Sequence, residues 1–281
     1  NDAATQSQFA VFTEATARGE AVAVKVFGNL EKGSEDDRIQ FRRDLRGLKT
    51  LNHPNVCRFL GTAKLKDPHG DSLIMERLAD SLDKRVLGTD FQGREGTCGA
   101  LGEVRFLSIF TAVAGALVHC KRNGLTHGDM KPHNVMFRGD GTPVLIDFGL
   151  SKHMESYRSS TLAHSSSRST GTRNKTFLSP EENDEEVEEI PIDRNFADRV
   201  DVWGIGVCML TALTGQPPYK QLKELGVSRR LSDKKKPEVP AAIRPEGLRA
   251  LVDDCLEMTP AKRPTMEDVL ERLTVLQRHA P

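Results

Sequence analysis

Several marks of other protein classes are missing from this chain. Its five cysteines, Cys57, Cys98, Cys120, Cys208 and Cys255, form no C-x-x-C pair, so neither a zinc site nor a disulfide framework is expected. A reducing, cytoplasmic setting fits them, either for the chain itself or for the intracellular part of a larger protein. Neither sign of charge dominates: 40 basic residues stand against 40 acidic ones, which removes the basic excess of a nucleic-acid binder. No apolar run approaches the length of a bilayer span, and the polar opening NDAATQSQ is unlike a signal peptide. The initiator methionine is absent, which points to a domain cut from a longer protein. No internal repeat and no haem or nucleic-acid motif is visible, and the sequence assigns no oligomeric state.

What remains is a globular composition, 37% hydrophobic, in 281 residues, enough for about two domains of ordinary size. Residues 9–27 alternate like strands and end in the apolar AVAVKVF. The polar turn GNLEKGSEDD precedes a helical pattern in IQFRRDLRGLKTL, with Ile39, Phe41, Leu45, Leu48 and Leu51 on one face. HPNVCRFLGTAKL and DSLIMERL are expected as strands separated by the turn KDPHG. After Leu78 the pattern becomes helical. The long segment from Glu103 is closed by Gly124, and helices are also expected in DVWGIGVCMLTALTG, GLRALVDDCLEM and a last stretch ending at Leu276. Residues 151–176 are rich in Ser, Thr and Arg without periodicity and are expected as a mobile loop, followed by the acidic run EENDEEVEE from Glu181.

Three short motifs stand in one order: VAVK (Val22–Lys25), HGDMKPHN (His127–Asn134) and DFG (Asp147–Gly149). Each fixed residue matches by chance roughly one time in twenty, so any one motif alone is weak. Their joint order, with SPE (Ser179–Glu181) and DVWGIG (Asp201–Gly206) after them, makes coincidence negligible. From about residue 9 to 276 the sequence resembles a protein kinase domain. LNHPNVCRFLG, DVWGIGVCMLTALTGQPPY and CLEMTPAKRPTMEDVLERL are similar to the phrasing of the tyrosine-kinase-like group.

The resemblance implies an α+β, bilobal protein-kinase-like fold. Residues 1–78 would form a small strand-rich N-lobe, and residues 79–281 a larger helical C-lobe holding an activation loop at 147–181. It implies ATP and Mg²⁺ as cofactors and protein substrates as partners. Phosphoryl transfer needs charge neutralisation around ATP and a positioned hydroxyl, with little covalent chemistry from the protein. Lys25 would hold the α- and β-phosphates, and the apolar residues around it argue against an ordinary exposed lysine. Asn134 and Asp147 would give oxygen ligands to Mg²⁺. Asp129 would orient the acceptor hydroxyl and take its proton, while Lys131 would offset charge on the moving phosphoryl group. Lys131 is the residue type of Ser/Thr-specific kinases. Ala23 and Met136 would sandwich the purine, with Met75 as gatekeeper and Glu76 to Leu78 as the hinge. Leu48, Phe59, His127 and Phe148 would form an apolar column anchored by Asp201. Glu181 and Arg263 would form a structural ion pair.

Three departures bear on activity. No G-x-G-x-x-G precedes Lys25: Gln6, Gln8 and Ala10 stand where glycines let backbone N–H groups approach phosphates, and Gly19 is the only glycine. Asp44 replaces the helix glutamate that pairs with the strand lysine; either it forms that pair, or it is a solvated residue among Arg42, Arg43 and Arg46. Gly128 replaces an arginine that in the family binds a phosphorylated activation loop, so the base survives and the control changes. The hydroxyls Ser165 to Thr172 are either autophosphorylation sites or a plain polar loop. The substrate-docking residue is Thr172 or Asn174. The acidic run and SDKKKPEVP are either docking surfaces or solvated loops. Some small-molecule phosphotransferases also carry H-G-D, but Lys131, SPE and DVW favour a protein substrate. The leading expectation is a Ser/Thr protein kinase; the alternative is a pseudokinase, a scaffold with little or no transfer.

Overall fold

In a computed structural model, residues 5–6, 11–17, 19–27, 30–31, 33–64, 70–87, 101–154, 175–183 and 196–280 are described. The N-terminal part is a five-stranded antiparallel sheet of β1 (Thr5–Gln6), β2 (Val11–Ala17), β3 (Glu20–Val26), β4 (Phe59–Lys64) and β5 (Asp71–Glu76) in the order β1-β2-β3-β5-β4. The alternation of a strand sends Val22, Val24 and Val26 to one face, where they cluster with Ile74. Lys25 therefore points to the other face, opposite Leu73 in register, and is 3% exposed.

Helix α1 (Glu35–Thr50) is tied to this sheet through Asp44 and Lys25 and starts four residues before the apolar pattern at Ile39. Ser34 caps it: the Ser34 hydroxyl accepts the Asp37 N–H, and the Asp37 carboxylate accepts the Ser34 N–H. Glu35, Asp36 and Asp37, which look like a polar turn in sequence, are its first turn, where negative charge suits the helix dipole. The strand expected from His53 begins only at Phe59. Residues 53–58 are instead tied to the C-terminal part: Leu145 N–H donates to Asn55 O (2.8 Å), Cys57 N–H to Leu145 O (2.9 Å) and Asn55 Nδ2 to Pro143 O (2.8 Å).

The C-terminal part is mostly helical: α2 (Leu82–Leu87), α3 (Glu103–Arg122), α4 (Pro180–Asn183), α5 (Arg199–Thr214), α6 (Glu224–Ser232), α7 (Glu246–Cys255) and α8 (Met266–His279). Its core gathers Phe106, Phe110, Trp203, Ile205 and Leu273, each at most 1% exposed. By length and apolarity α3 is sufficient to span a bilayer, against the sequence expectation; its apolar side is buried against α5 and α8, as in a core helix. Two small sheets carry the loops of the site. One is β6 (Asp80–Ser81), β8 (Val135–Phe137) and β9 (Pro143–Leu145); the other pairs β7 (Leu125–Thr126) with β10 (Lys152–His153). The segment after Phe148, expected as loop from residue 151, is thus held as a strand for two residues. The last helix runs on to His279, three residues past Leu276.

Candidate active site

β3 delivers Lys25 and α1 delivers Asp44 to one buried point. Lys25 Nζ donates to Asp44 Oδ2 at 2.7 Å and to Asp147 Oδ1 at 2.8 Å. Asp44 thus forms the pair with Lys25 and is not a solvated helix residue; it is 1% exposed. One ammonium shared by two carboxylates splits their acidities. Burial pushes Asp44 up to about 6. Asp147 is held well below the usual carboxylate range: burial opposes this, but the Lys25 charge and hydrogen bond outweigh it. Lys25 is raised although burial alone would lower it, because both carboxylates face it, so it stays charged.

Asp147 has φ 63°, a conformation an L-residue keeps only when its surroundings impose it. Its Oδ1 accepts the Gly149 N–H at 3.3 Å. Phe148 beside it is fully buried, with its ring 4.9 Å from that of His127. Gly47 of α1 makes this packing possible, since a Cβ there would lie 2.6 Å from Phe148 Cβ. Leu48 is buried in the same hydrophobic core as Phe148, and Phe59 packs against that core half-buried.

The loop between β7 and β8 is organised by groups that do no chemistry. Asp201, at the start of α5, accepts the N–H groups of His127 (2.7 Å) and Gly128 (2.8 Å). Burial pushes the Asp201 carboxyl up to about 7 against the pull of those amides. His127 Nδ1 accepts the Asp129 N–H at 3.3 Å, so Nε2 carries the hydrogen that faces Ile146 O at 3.0 Å. Burial lowers the His127 pKa, which keeps the ring in this neutral form. Gly128 has φ 73°, and a Cβ there would lie 2.7 Å from Leu150 O. The position that lost its arginine is therefore pressed against the start of the segment after DFG.

Asp129 sits at the centre of a small network. Lys131 Nζ reaches Asp129 Oδ2 at 2.7 Å, and Asn134 Nδ2 donates to Asp129 O (2.7 Å) and Oδ2 (3.0 Å). Ile146 N–H donates to Asn134 O at 3.0 Å, which fixes Asn134 beside the strand leading to Asp147. Asn134 is 1% exposed, yet its Oδ1 has no hydrogen-bond partner among the described residues. A buried amide oxygen in that state is costly unless something fills its place, and a hard cation takes such an oxygen. No group of three His, Cys, Asp or Glu side chains gathers among the described residues, so a cation here would rest on Asn134, Asp147 and phosphate oxygens. A small pocket opens beside Asp129, lined by Met130, Lys131, Phe177, Leu178, Glu182 and Val200 among others.

The expected purine site is built from strand register. Ala23 pairs with Met75 on β3 and β5, while Met136 on β8 pairs with Val144 and Ser81. Ala79 N–H donates to Phe137 O at 2.7 Å, which joins the Glu76–Leu78 segment to β8. Glu181 and Arg263 form the buried pair expected, with Nη1–Oε1 at 2.6 Å and Nη2–Oε2 at 2.7 Å. What the sequence does not reveal is that the Glu76 carboxylate is held by Arg138, 62 positions away, through bonds of 2.7 and 2.8 Å. No motif marks Arg138; its place directly after β8 is the one signal available. Gln8, Ala10, Ser165 to Thr172, Asn174 and the acidic run beyond Asn183 lie outside the described residues.

A protein-family model described as the protein kinase domain matches residues 7–273. Serine/threonine-protein kinase 12 of Arabidopsis thaliana is 25% identical over 265 residues, covering 93% of this chain and 53% of that protein. Serine/threonine-protein kinase PkaA of Streptomyces coelicolor is 28% identical over 262 residues, covering 92% of this chain and 43% of that protein. Serine/threonine-protein kinase VIK of Arabidopsis thaliana is 26% identical over 284 residues, covering 98% and 59%. The chain thus spans about half the length of the curated relatives it matches.

Proposed function

Because the chain belongs to the protein kinase family, we propose that it transfers the γ-phosphate of Mg-ATP to serine or threonine hydroxyls of protein substrates. The observation that carries this reading is the joined network of Lys25, Asp44 and Asp147 beside Asp129, Lys131 and Asn134. Lys25 holds a permanent charge for the α- and β-phosphates. The Asp129 carboxylate orients the acceptor hydroxyl and takes its proton as the bond to phosphorus forms. Lys131, already against Asp129, offsets charge on the transferring group. Magnesium, when bound, neutralises charge on the phosphate oxygens, and Asn134 Oδ1 and Asp147 are the side-chain oxygens that fit it. Ala23 and Met136 enclose the purine, with Glu76 to Leu78 along its edge.

A serine or threonine acceptor is supported by Lys131 in the catalytic loop and by relatives whose names state that specificity. A cytoplasmic setting agrees with the free, buried thiols of the four cysteines among the described residues, Cys57, Cys120, Cys208 and Cys255. The test is transfer of labelled γ-phosphate from Mg-ATP to the chain itself or to a generic basic protein, beside Asp129→Asn. Transfer by the parent and a loss of at least a hundredfold in the variant is the expected result. No transfer from a folded parent, with Mn²⁺ also tried, would overturn it.

A further inference from the structure

Glu76 ends β5 where the segment along the purine edge begins. Its side chain is only 10% exposed and meets a planar fork: Arg138 Nε donates to Oε2 at 2.8 Å and Nη2 to Oε1 at 2.7 Å. The Arg58 N–H adds a third bond, to Oε1 at 2.8 Å. The remaining amine of Arg138, Nη1, donates to Pro54 O at 2.7 Å. One side chain at the end of β8 therefore grips both the end of β5 and the loop that follows α1.

These attachments converge on the nucleotide. Met136, the expected purine floor, lies on β8 two residues before Arg138, which directly follows that strand, and Ala23, the expected roof, pairs with Met75 next to Glu76. The Glu76–Arg138 fork thus ties the strand that carries the roof to the residue after the strand that carries the floor. The Ala79–Phe137 bond, one residue away along the chain from Arg138, ties the end of the same purine-edge segment to β8. An exposed ion pair would contribute little, but a two-bond guanidinium–carboxylate pair with two further backbone attachments and little solvent around the carboxylate fixes geometry.

We propose that Arg138 is a positioning residue for nucleotide binding: through Glu76 and Pro54 it holds the purine edge at the spacing the adenine ring requires. The inference rests on the kinase reading above. It predicts a binding defect without a chemical one, because Arg138 touches neither the phosphates nor the acceptor.

Arg138→Met keeps the apolar stem and removes the fork, and Arg138→Lys keeps the charge without it. Both are compared with the parent by titration of a fluorescent N-methylanthraniloyl-ATP in Mg²⁺ and by steady-state transfer to a generic basic protein. Arg138→Met is expected to raise the Kd of the analogue and the KM for ATP by roughly tenfold, with kcat within about twofold of the parent. Arg138→Lys is expected between the two, and it is the variant to read if Arg138→Met does not fold. A folded variant that binds the analogue as the parent does, or one in which kcat changes at constant KM, overturns the inference and leaves the kinase reading intact. A parent that neither binds nucleotide nor transfers phosphate overturns the kinase reading itself, and this inference with it.

Discussion

The most instructive single residue is His127, which performs no chemistry. Its ring accepts the Asp129 N–H on one nitrogen and donates to Ile146 O from the other, so only the neutral tautomer with hydrogen on Nε2 satisfies both bonds. Burial lowers its pKa from 6.5 in the folded chain. A base with a depressed folded pKa binds fewer protons folded than unfolded, so its contribution is fully present above 6.5 and is lost as pH falls through the folded value. The His127 contribution to the free energy of unfolding is therefore expected to rise as pH climbs toward 6.5, against the opposite contributions of the raised Asp44 and Asp201 carboxyls, and His127→Phe, which keeps a ring against Phe148, should remove that rising part of the pH dependence. Urea titrations at several pH values measure it. An equal slope in parent and variant would mean that His127 is not held neutral. Gly128, its neighbour, shows the opposite kind of constraint. With φ 73° and the Leu150 carbonyl beside its missing Cβ, the backbone at this position approaches the segment after DFG directly. The arginine read as lost is replaced by a contact that any side chain would disturb.

Among the elements, α1 joins local sequence to the site most directly, because it carries Asp44 from a capped end. Its capping box has a twin on α8, where Thr265 accepts the Asp268 N–H at 3.0 Å and Asp268 accepts the Thr265 N–H at 2.8 Å. Ser34→Ala and Thr265→Ala remove the same bond in the same geometry, and each is expected to cost about 1 kcal/mol of stability. They should differ in function: Ser34→Ala loosens the helix that supplies Asp44 to Lys25, so KM for ATP should rise by about twofold or more, whereas Thr265→Ala should leave it unchanged. Equal effects on KM would show that the first turn of α1 is not coupled to the Lys25 pair. The same helix shows why its start was hard to read. In GSEDD the capping serine and three acids look like a turn to any method that follows apolar spacing, although they are the first turn of the helix. The strand expected from His53 failed for a related reason, since apolar Val56 and Cys57 are buried by bonds to Leu145 rather than by a sheet neighbour in β5. Helices α2 and α6 are short and mixed in character, and no periodic stripe announced them.

At the scale of the whole molecule, the residues to which the proposed function gives chemistry were legible because phosphoryl transfer fixes their types and the chain fixes their order. Lys25, Asp129, Lys131, Asn134 and Asp147 needed no geometry to be found. The residues that hold them in place were legible only where a motif included them: Arg263 lay inside one, while Arg138, equally long-range, lay in none. Arg263 also gives the clearest stability test. Its side chain is fully buried, forks onto Glu181, and donates from Nε to Glu257 O at 2.7 Å and from Nη1 to Arg199 O at 2.8 Å. Its guanidinium carbon stands 5.1 Å from the Trp203 ring. It therefore joins the short helix α4, just beyond Phe177 and Leu178 of the pocket at Asp129, to α5 and the loop before α8. Removing one partner of such a pair leaves the other charge buried alone, so Arg263→Ala is expected to lower the free energy of unfolding by about 3–5 kcal/mol. Arg263→Lys keeps the charge but reaches fewer acceptors from a single ammonium, and should recover only part of that loss. Urea unfolding with an unchanged slope and a lower midpoint is the expected signature. A midpoint equal to the parent's would mean that desolvation of this buried pair cancels its attraction and that packing alone holds α4 against the helical core.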